Sequence, residues 1–225
     1  MPTAVVDIVL STYNGERFLA EQLSSICAQT HKDWRLWIRD DGSSDRSLEI
    51  LNTFMNKDSR IQWSPSANMK KNLGASQSFQ ALLATLPSDS ELFLLCDQDD
   101  IWKPEKISTL LELYASNAKP VDNTALLVFS DLSLIDDHGE SLSPSQMSFM
   151  GFTPQAHLNI ESFAAQNIVS GCSVLGNKRL LELALPIPTN ALMHDWWLAL
   201  VATATGKILY CPSPLVLYRQ HSHNA

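Results

Sequence analysis

The chain has 225 residues, of which 45% are hydrophobic and 18% are charged, a balance that suits a globular domain and excludes a disordered polar chain. Its formal net charge of −8 argues against a nucleic-acid-binding protein, because such proteins normally carry a basic surface. The four cysteines form no CxxC pair, which argues against a zinc or redox motif, and three of them lie in apolar runs, which predicts reduced core thiols and a cytosolic setting. No apolar run is long enough to span a membrane, so that only attachment to a membrane surface stays open.

Strands and helices are predicted to alternate through the first half of the chain. Apolar runs predict strands, and apolar residues at helical spacing predict a helix after each strand. The predicted strands cover 4–11, 34–40, 60–64 and 91–97. The predicted helices lie near 18–26, 43–55, 79–86 and 107–114. This alternation predicts an α/β fold with a mostly parallel central sheet flanked by helices on both faces.

The second half of the chain is less regular. We predict a long strand over 125–136, a loop-like stretch over 138–157 and a strand over 167–177. A helix is predicted over 194–206, and the strand over 207–219 contains prolines, so we expect it to be bulged or at a sheet edge. No linker separates the two halves, which predicts one domain over 1–225.

Three polar clusters follow predicted strands of the first half. They are "STYNGE" after the first strand, "RDDGSSD" after the second and "CDQDD" after the fourth. In parallel sheets, ligands bind beyond the carboxyl ends of the strands. The three clusters are therefore predicted to meet in one binding site.

The acidic cluster Asp97, Asp99 and Asp100 ends a buried strand. Carboxylates this close repel one another and each is costly to bury, so a positive partner is expected. Carboxylate oxygens suit Mg²⁺ or Mn²⁺, which would in turn hold a diphosphate. The alternative is a strand-end turn followed by helix capping, for which aspartate is also common.

The other two clusters carry candidates for nucleotide binding. Asp40 and Asp41 could accept a hydrogen bond from the imide N–H of a pyrimidine base or from a ribose hydroxyl, although Asp-Gly is also an ordinary turn. Thr12, Tyr13 and Asn14 offer donors, and packing explains Tyr13 equally well. The chain contains no GxxxxGK[ST], GxGxxG or GxSxG motif, which removes the main support for an ATPase, a dinucleotide-binding enzyme or a serine hydrolase.

Three segments of the sequence resemble the family 2 glycosyltransferases, which have the GT-A (Rossmann-like) fold. They are "VDIVLSTYNGERFLAEQLSSICAQTHKDWRLWIRDDGSSDRSLEIL", "NLGASQSFQALL" and "LCDQDDIWKPEKI". "DQDDIW", "HDWW" and "YRQH" are similar to the bacterial rhamnosyltransferase-like members. The resemblance implies a nucleotide-sugar-binding half over about 1–120 and a smaller acceptor-binding half over about 121–225. Many relatives are longer, so the chain is either a compact member or one piece of a longer protein.

The resemblance also implies roles on the donor side. Asp97–Asp99 occupies the DxD position, where Asp99 would meet the metal and Asp97, with Gln98 beside it, would reach the donor. Asp41 matches the position that binds the nucleotide base. His221 matches a histidine that reaches the metal or the diphosphate, and His223 is its rival. The implied cofactor is Mg²⁺ or Mn²⁺.

On the acceptor side, Asp195 of "HDWW" matches the catalytic base of the family. Its alternative is a helix cap, since Asp is common at helix starts. Gly171, Cys172 and Trp196 are candidate acceptor-side residues, and a buried strand explains Gly171 and Cys172 equally well. One base acting in a direct displacement would invert the anomeric centre.

The resulting hypothesis is an inverting, metal-dependent transfer of one sugar, from dTDP-rhamnose or a UDP-sugar. The expected acceptor is a glycan or a polyprenyl-diphosphate-linked saccharide of a bacterial surface polysaccharide, and the expected location is the inner face of the cell membrane. The QxxRW motif of processive synthases is absent, which favours single transfers. The alternatives are a non-catalytic nucleotide-sugar- or glycan-binding module and a sugar-nucleotide pyrophosphorylase, although "STYNGE" is not the glycine-rich loop of the latter.

Overall fold

The computed structural model describes residues 4–65, 72–118, 123–154 and 158–222. The strands in these ranges are β1 (Val6–Thr12), β2 (Trp34–Asp40), β3 (Ile61–Trp63), β4 (Leu92–Cys96), β5 (Ile101–Trp102), β6 (Ala125–Ile135), β7 (Ser141–Ser143), β8 (Val174–Asn177) and β9 (Gly206–Arg219). The α-helices with described bounds are α1 (Leu19–Cys27), α2 (Ser47–Met55), α3 (Ala75–Leu83), α4 (Lys106–Asn117), α5 (Gln146–Met150), α6 (Ile160–Ala165), α7 (Lys178–Ala184) and α8 (His194–Thr205).

All of these strands belong to one sheet with the order β3-β2-β1-β4-β8-β6-β9-β5, and β7 pairs with β6. β1 pairs in parallel with both β2 and β4, and β6 pairs in parallel with β9. β8 is antiparallel to both of its neighbours, β4 and β6, and therefore joins the two halves of the sheet. The predicted α/β fold with a central sheet flanked by helices is confirmed, and the sheet is mixed: β1, β2, β3 and β4 pair in parallel, whereas β5, β7 and β8 pair antiparallel with their neighbours.

Helices cover both faces of the sheet because the central strands are apolar on both sides. Ile8 of β1 packs in one core cluster with residues of α1, α2 and α4, whereas Val9 packs in a second cluster with residues of α3, α6, α7 and α8. All five residues of β4 are buried, which matches the continuous apolar run in its sequence. The carboxyl ends of β1, β2 and β4 therefore lie at one edge of a rigid sheet.

Local hydrogen bonds explain why some helices and loops have different bounds from those that the sequence predicts. The predicted helix over 43–55 starts only at Ser47, because the side chain of Asp45 accepts the N–H groups of Glu16 and Ser47 and holds the preceding residues as a loop. The stretch over 138–157, predicted as a loop, contains β7 and α5, and Ser145 caps α5 by accepting the N–H of Ser148; residues 155–157 lie outside the described ranges. These elements are too short to show a periodicity.

The later elements differ from the predictions in two further ways. The predicted strand over 167–177 pairs only at β8, which a 3₁₀ turn at Gly171–Ser173 precedes. The proline-containing β9 is bulged as predicted, because its register against β6 shifts on both sides of Asp131. Among the described residues, no helix is long and apolar enough to cross a membrane.

Candidate active site

A cavity of about 550 Å³ opens beyond the carboxyl ends of β1, β2 and β4. The first half of the chain contributes mainly polar residues to it, including Tyr13, Asp41, Asp97, Gln98 and Asp99. The second half contributes apolar side chains and the start of α8, including Met147, Met150, Phe152, Ile168, Gly171, His194 and Asp195. The polar clusters that were predicted to meet therefore do so, and they share the cavity with residues of the acceptor-side prediction.

Gln98 links the end of β4 to the end of β1 through side-chain hydrogen bonds. Its Oε1 accepts hydrogen bonds from the Thr12 hydroxyl at 2.6 Å and the Tyr13 N–H at 2.9 Å, and its amide nitrogen donates to the Tyr13 carbonyl at 3.2 Å. Gly15 makes room for this contact, because a Cβ there would lie 2.4 Å from Gln98 Oε1. Thr12 itself does not line the cavity, whereas Tyr13 and Gln98 do.

Asn14 and Asp40 shape the loops around the cavity without lining it. Asn14 adopts a positive φ of 48° and its Oδ1 accepts the Ser44 N–H at 2.8 Å. Asp40 Oδ2 accepts the N–H groups of Gly42 and Ser43, at 3.0 and 2.9 Å, which is the turn interpretation of this motif. Asp40 Oδ1 is buried and has no hydrogen-bond partner within the described part of the chain. Their roles in nucleotide binding stay predictions.

Asp41 is buried and lines the cavity. Its carboxylate accepts the Leu73 N–H at 2.9 Å and the Gly74 N–H at 2.8 Å, and it pairs with Arg39 Nη2 at 3.1 Å. The carboxylate thus holds the segment that leads into α3, and it also lines the cavity. The Asp41 side chain therefore both supports this segment and borders the cavity.

The three strand-end carboxylates occupy different environments. Asp97 and Asp99 line the cavity, whereas Asp100 is fully buried and accepts the Arg219 N–H at 3.1 Å. Burial, followed by the charge of Asp99, raises the pKa of Asp100 to about 7. Burial and the charges of Asp100, Asp99 and Asp195 raise the pKa of Asp97 well above its usual range. The cluster therefore does favour a positive partner, as its sequence indicates.

The chain itself places two basic side chains, Lys106 and Arg219, near the acidic cluster. The sequence interpretation missed both of them. Lys106 is fully buried, donates from Nζ to the Cys172 carbonyl at 2.5 Å and lies 3.1 Å from the centroid of the Trp102 ring. Burial lowers the pKa of Lys106 to about 7. Arg219 donates from Nε to the Asp99 carbonyl at 2.9 Å. A signal for Lys106 was present, since it lies four positions before the buried Leu110 on the same helix face.

Asp99 and His221 offer a carboxylate and an imidazole to a divalent cation, and Asp97 lies on the same cavity wall as Asp99. His221 Nε2 lies 2.8 Å from Asp99 Oδ2, so an imidazole and two carboxylates are available near the cavity. Carboxylate and imidazole ligands suit Mn²⁺ well, whereas Mg²⁺ prefers oxygen ligands alone. His223, the rival of His221, lies outside the described residues. Asp97, Asp100 and Cys172 also offer atoms within 4.8 Å of one another, but burial raises the pKa of the Cys172 thiol and a protonated thiol is a poor ligand.

Asp195 lines the cavity from the first turn of α8. It is not the N-cap, because Met193 occupies that position. Its Oδ2 accepts the Gly171 N–H at 2.9 Å and its Oδ1 accepts the Trp196 N–H at 2.6 Å. Burial raises the pKa of Asp195 to about 6, against the effect of these N–H donors. A carboxyl group with this pKa is suited to take up a proton near neutral pH.

The remaining acceptor-side candidates divide between the cavity and its surroundings. Gly171 lines the cavity, whereas Cys172 and Trp196 do not. Cys172 is buried and accepts the Lys106 hydrogen bond through its carbonyl, and Trp196 donates from Nε1 to the Phe163 carbonyl at 2.6 Å. His194, which no sequence argument selected, does line the cavity. Its residue type beside Asp195 was visible in "HDWW", but nothing in the pattern indicated that its ring faces a ligand site.

Comparison with known proteins supports a family assignment. The family model described as glycosyl transferase family 2 matches residues 7–165 of the chain. The chain is similar to the dTDP-rhamnosyl transferase RfbG of Shigella flexneri, with 29% identity over 225 residues, which cover 96% of this chain and 72% of RfbG.

Two solved structures share the fold. The S. aureus TarS fragment 1–349 in complex with UDP-GlcNAc has a TM-score of 0.71 at 14% identity, covering 97% of this chain and 59% of that one. The mannosyltransferase PcManGT from Pyrobaculum calidifontis, in complex with GDP-Man and Mn²⁺, has a TM-score of 0.70 at 16% identity, covering 97% and 58%. The chain thus spans about three fifths of each solved chain.

Proposed function

Because the chain belongs to glycosyl transferase family 2 and is a glycosyltransferase, we propose that it moves one sugar from a nucleotide-diphosphate sugar to a hydroxyl group of an acceptor, with inversion. The observation that carries this proposal is the shared cavity of Asp97, Asp99 and Asp195. Asp99 and the neighbouring His221 suit a divalent cation that would neutralise the leaving diphosphate, and Asp195, with its raised pKa, suits removal of the proton from the acceptor hydroxyl.

The donor that we propose first is dTDP-rhamnose, with UDP-sugars as the alternative. The name of RfbG supports the former and the UDP-GlcNAc complex of TarS supports the latter. Asp41 is proposed to receive the base or ribose, because it combines a buried carboxylate with a place on the cavity wall beside Asp97–Asp99. The acidic wall itself would repel a diphosphate unless a cation intervened.

We propose that Asp99 and His221 hold Mn²⁺ or Mg²⁺, and that Asp97 on the same cavity wall reaches the donor. When bound, such a cation stabilises the negative charge that gathers on the departing diphosphate. The ligand chemistry and the Mn²⁺ in the PcManGT complex support this assignment. The charge of Lys106, which is bound to the Cys172 carbonyl, favours the ionised forms of Asp97 and Asp100, whereas the guanidinium of Arg219 pairs with Glu21 at 2.6 Å.

Asp195 is proposed as the general base. The acceptor oxygen bonds to the anomeric carbon as the bond between that carbon and the diphosphate oxygen breaks. Asp195 takes the hydroxyl proton, and the nucleoside diphosphate leaves with the electron pair of the broken bond. Attack from the side opposite the leaving group inverts the configuration. The Gly171 and Trp196 N–H groups hold the carboxylate in place for this step.

The proposed acceptor is a glycan or polyprenyl-diphosphate-linked saccharide in the synthesis of an O-antigen-like surface polysaccharide, at the inner face of the cell membrane. The apolar residues that the second half contributes to the cavity support an acceptor with apolar character. Phe149 of α5 has 66% of its surface exposed, next to the cavity-lining Met150, and would suit contact with lipid. We propose this acceptor and this location for the activity of the whole protein.

The test is release of dTDP or UDP from the corresponding sugar nucleotide with Mn²⁺, measured with and without a polyprenyl-diphosphate-linked saccharide. We expect release that depends on the acceptor and on Mn²⁺ and that Asp195→Asn suppresses. Tight binding of the sugar nucleotide with no release under any acceptor would instead support a binding module. Formation of sugar nucleotide from a sugar phosphate and a nucleoside triphosphate would support a pyrophosphorylase.

A further inference from the structure

His194 holds an unusual place in the cavity wall. Its side chain is almost fully buried, with 3% of the residue exposed, yet it is one of the residues that line the cavity. The ring stacks on Phe79 of α3, with 4.2 Å between the ring centroids and 16° between the planes. Stacking, rather than hydrogen bonding, therefore fixes the orientation of the imidazole.

Both ring nitrogens of His194 lack a hydrogen-bond partner within the described part of the chain. Buried polar atoms in folded proteins are nearly always paired, because an unpaired one loses its bonds to water and gains nothing in return. The neighbouring Asp195 shows the usual situation, since each of its oxygens accepts a backbone N–H. Because His194 lines the cavity, a ligand there is a candidate to complete these hydrogen bonds, which would require a small shift of the ring since neither nitrogen has accessible surface in this structure.

His194 and Asp195 both lie beside Gly171, whose lack of a side chain leaves them close to one another. A carbon placed at the Cβ position of Gly171 would be 3.3 Å from His194 Nε2 and 3.5 Å from Asp195 Oδ2. The same small region is therefore bordered by the imidazole and by the carboxylate that we propose as the base. Any side chain at 171 would narrow it, and a ligand that reaches Asp195 there also reaches His194.

We propose that His194 binds a hydroxyl group of the acceptor sugar beside Asp195 and so positions the acceptor for attack. This inference rests on the proposed function, because it takes Asp195 as the base. A neutral imidazole carries one donor and one acceptor, and a hydroxyl group can pair with either. Burial lowers the pKa of His194 to about 3, so the ring is uncharged near neutral pH and offers no ion pair to a phosphate or carboxylate. The chemistry favours a neutral sugar.

The test compares two substitutions at this position. His194→Phe keeps a flat ring to stack on Phe79 and removes both nitrogens, whereas His194→Gln keeps a donor and an acceptor. His138→Phe is the control, because the His138 side chain is 76% exposed and lies outside the cavity. The probes are the methyl glycosides of rhamnose, glucose, galactose and N-acetylglucosamine, added without nucleotide, and binding is followed by thermal shift.

We expect at least one glycoside to stabilise the wild-type protein, and we expect His194→Phe to weaken its binding roughly tenfold or more, as the loss of a buried hydrogen bond predicts. His194→Gln and His138→Phe should retain most of the binding. In ¹⁵N-histidine-labelled protein, the same glycoside should shift the imidazole resonance that disappears in His194→Phe and in His194→Gln. Either variant is enough to assign this resonance, so the readout stays valid if His194→Phe fails to fold.

Three outcomes would overturn the inference. They are glycoside binding that His194→Phe leaves unchanged, a His194 resonance that no glycoside moves, and no response to any glycoside in the wild-type protein. A melting temperature that falls in His194→Phe while glycoside binding persists would assign the ring a packing role alone. Failure of the proposed function is measured separately. It would appear as a wild-type protein that shows no Mn²⁺-dependent binding of dTDP or UDP. His194→Phe is expected to keep this nucleotide binding.

Discussion

His221 Nε2 lies 2.8 Å from Asp99 Oδ2, so the end of β9 contacts the loop after β4 across 122 positions of the chain. The contact draws an imidazole to the carboxylate that we propose as a metal ligand. A cation bound between them would replace this hydrogen bond with two coordinate bonds. Metal binding and the docking of the β9 end should therefore depend on one another.

The first prediction concerns this pair. Asp99→Ala should abolish the Mn²⁺-dependent part of dTDP or UDP binding, and His221→Ala should weaken it by about 10- to 100-fold, as the loss of residues that support a metal site usually does. Isothermal titration calorimetry with and without EDTA measures both. His138→Ala is the matched control, because His138 also lies beside an aspartate, at 3.5 Å from Asp137, but on the exposed surface. Equal loss in the control and in His221→Ala would remove His221 from the site.

The second prediction concerns Asp41, which both faces the cavity and supports the chain. Asp41→Ala should weaken nucleotide binding whether or not Mn²⁺ is present. It should also lower the free energy of unfolding by about 3 kcal/mol, because it removes the buried carboxylate that pairs with Arg39. Urea unfolding beside calorimetry separates the two effects. Asp89→Ala, which removes an exposed partner of Arg35, should leave the free energy of unfolding nearly unchanged.

The third prediction separates catalysis from binding at Asp195. Asp195→Asn should lower the transfer rate by about 10²–10⁴ while donor binding stays nearly constant, because an amide cannot take up the proton. The wild-type rate at saturating donor should fall as the pH drops below about 6, the pKa that burial gives this carboxyl group, since only the ionised form is a base. A pH–rate profile with its midpoint well away from this value, or a variant with a near-normal rate, would contradict the assignment.

The fourth prediction concerns the buried Lys106. Burial lowers its folded-state pKa from 10.5 to about 7, so the unfolded chain holds this proton more tightly. The contribution of Lys106 to stability is therefore fully present above pH 10.5 and is lost as the pH falls towards 7. Lys106→Met should remove this component and reduce the slope of the unfolding free energy by up to about 1.4 kcal/mol per pH unit in that window.

Urea unfolding at several pH values, with EDTA present, measures that slope. Lys178→Met is the control for the loss of one lysine, because Lys178 is exposed but also bonds a backbone carbonyl, that of Ser88. Identical slopes for wild type and Lys106→Met would mean that Lys106 reaches solvent in solution.

The sequence was enough to predict the strands that are continuous apolar runs and the meeting of polar residues at the strand ends. β2 was predicted with its observed bounds, and the cavity gathers Asp41, Asp97 and Asp195 from clusters far apart in the chain. These features follow from the periodicity of single segments and from the geometry of parallel sheets. The family assignment came from the same motifs and is confirmed by the family match.

Contacts between distant segments were harder to predict. The short helix α7 starts because Asn177 caps it by accepting the Leu180 N–H, and seven residues are too few for a clear apolar stripe. His194 and Lys106 belong to the site because Phe79 and Cys172, which come from other elements, pack against them. Helical spacing could place Lys106 on the buried face of its helix, but a pattern within one helix cannot show which group of another element a polar side chain contacts, so these contacts appeared only in the structure.

The position of β6 also has a consequence for synthesis on the ribosome. β6 is an apolar, almost wholly buried strand, and its two principal neighbours, β8 and β9, are both translated after it. Until they emerge, the nascent chain presents an apolar strand with both edges unpaired, which is the kind of surface that promotes aggregation. Arrest of translation between α7 and α8 should leave one of these edges open, and such stalled chains should depend on chaperones far more than the completed domain does.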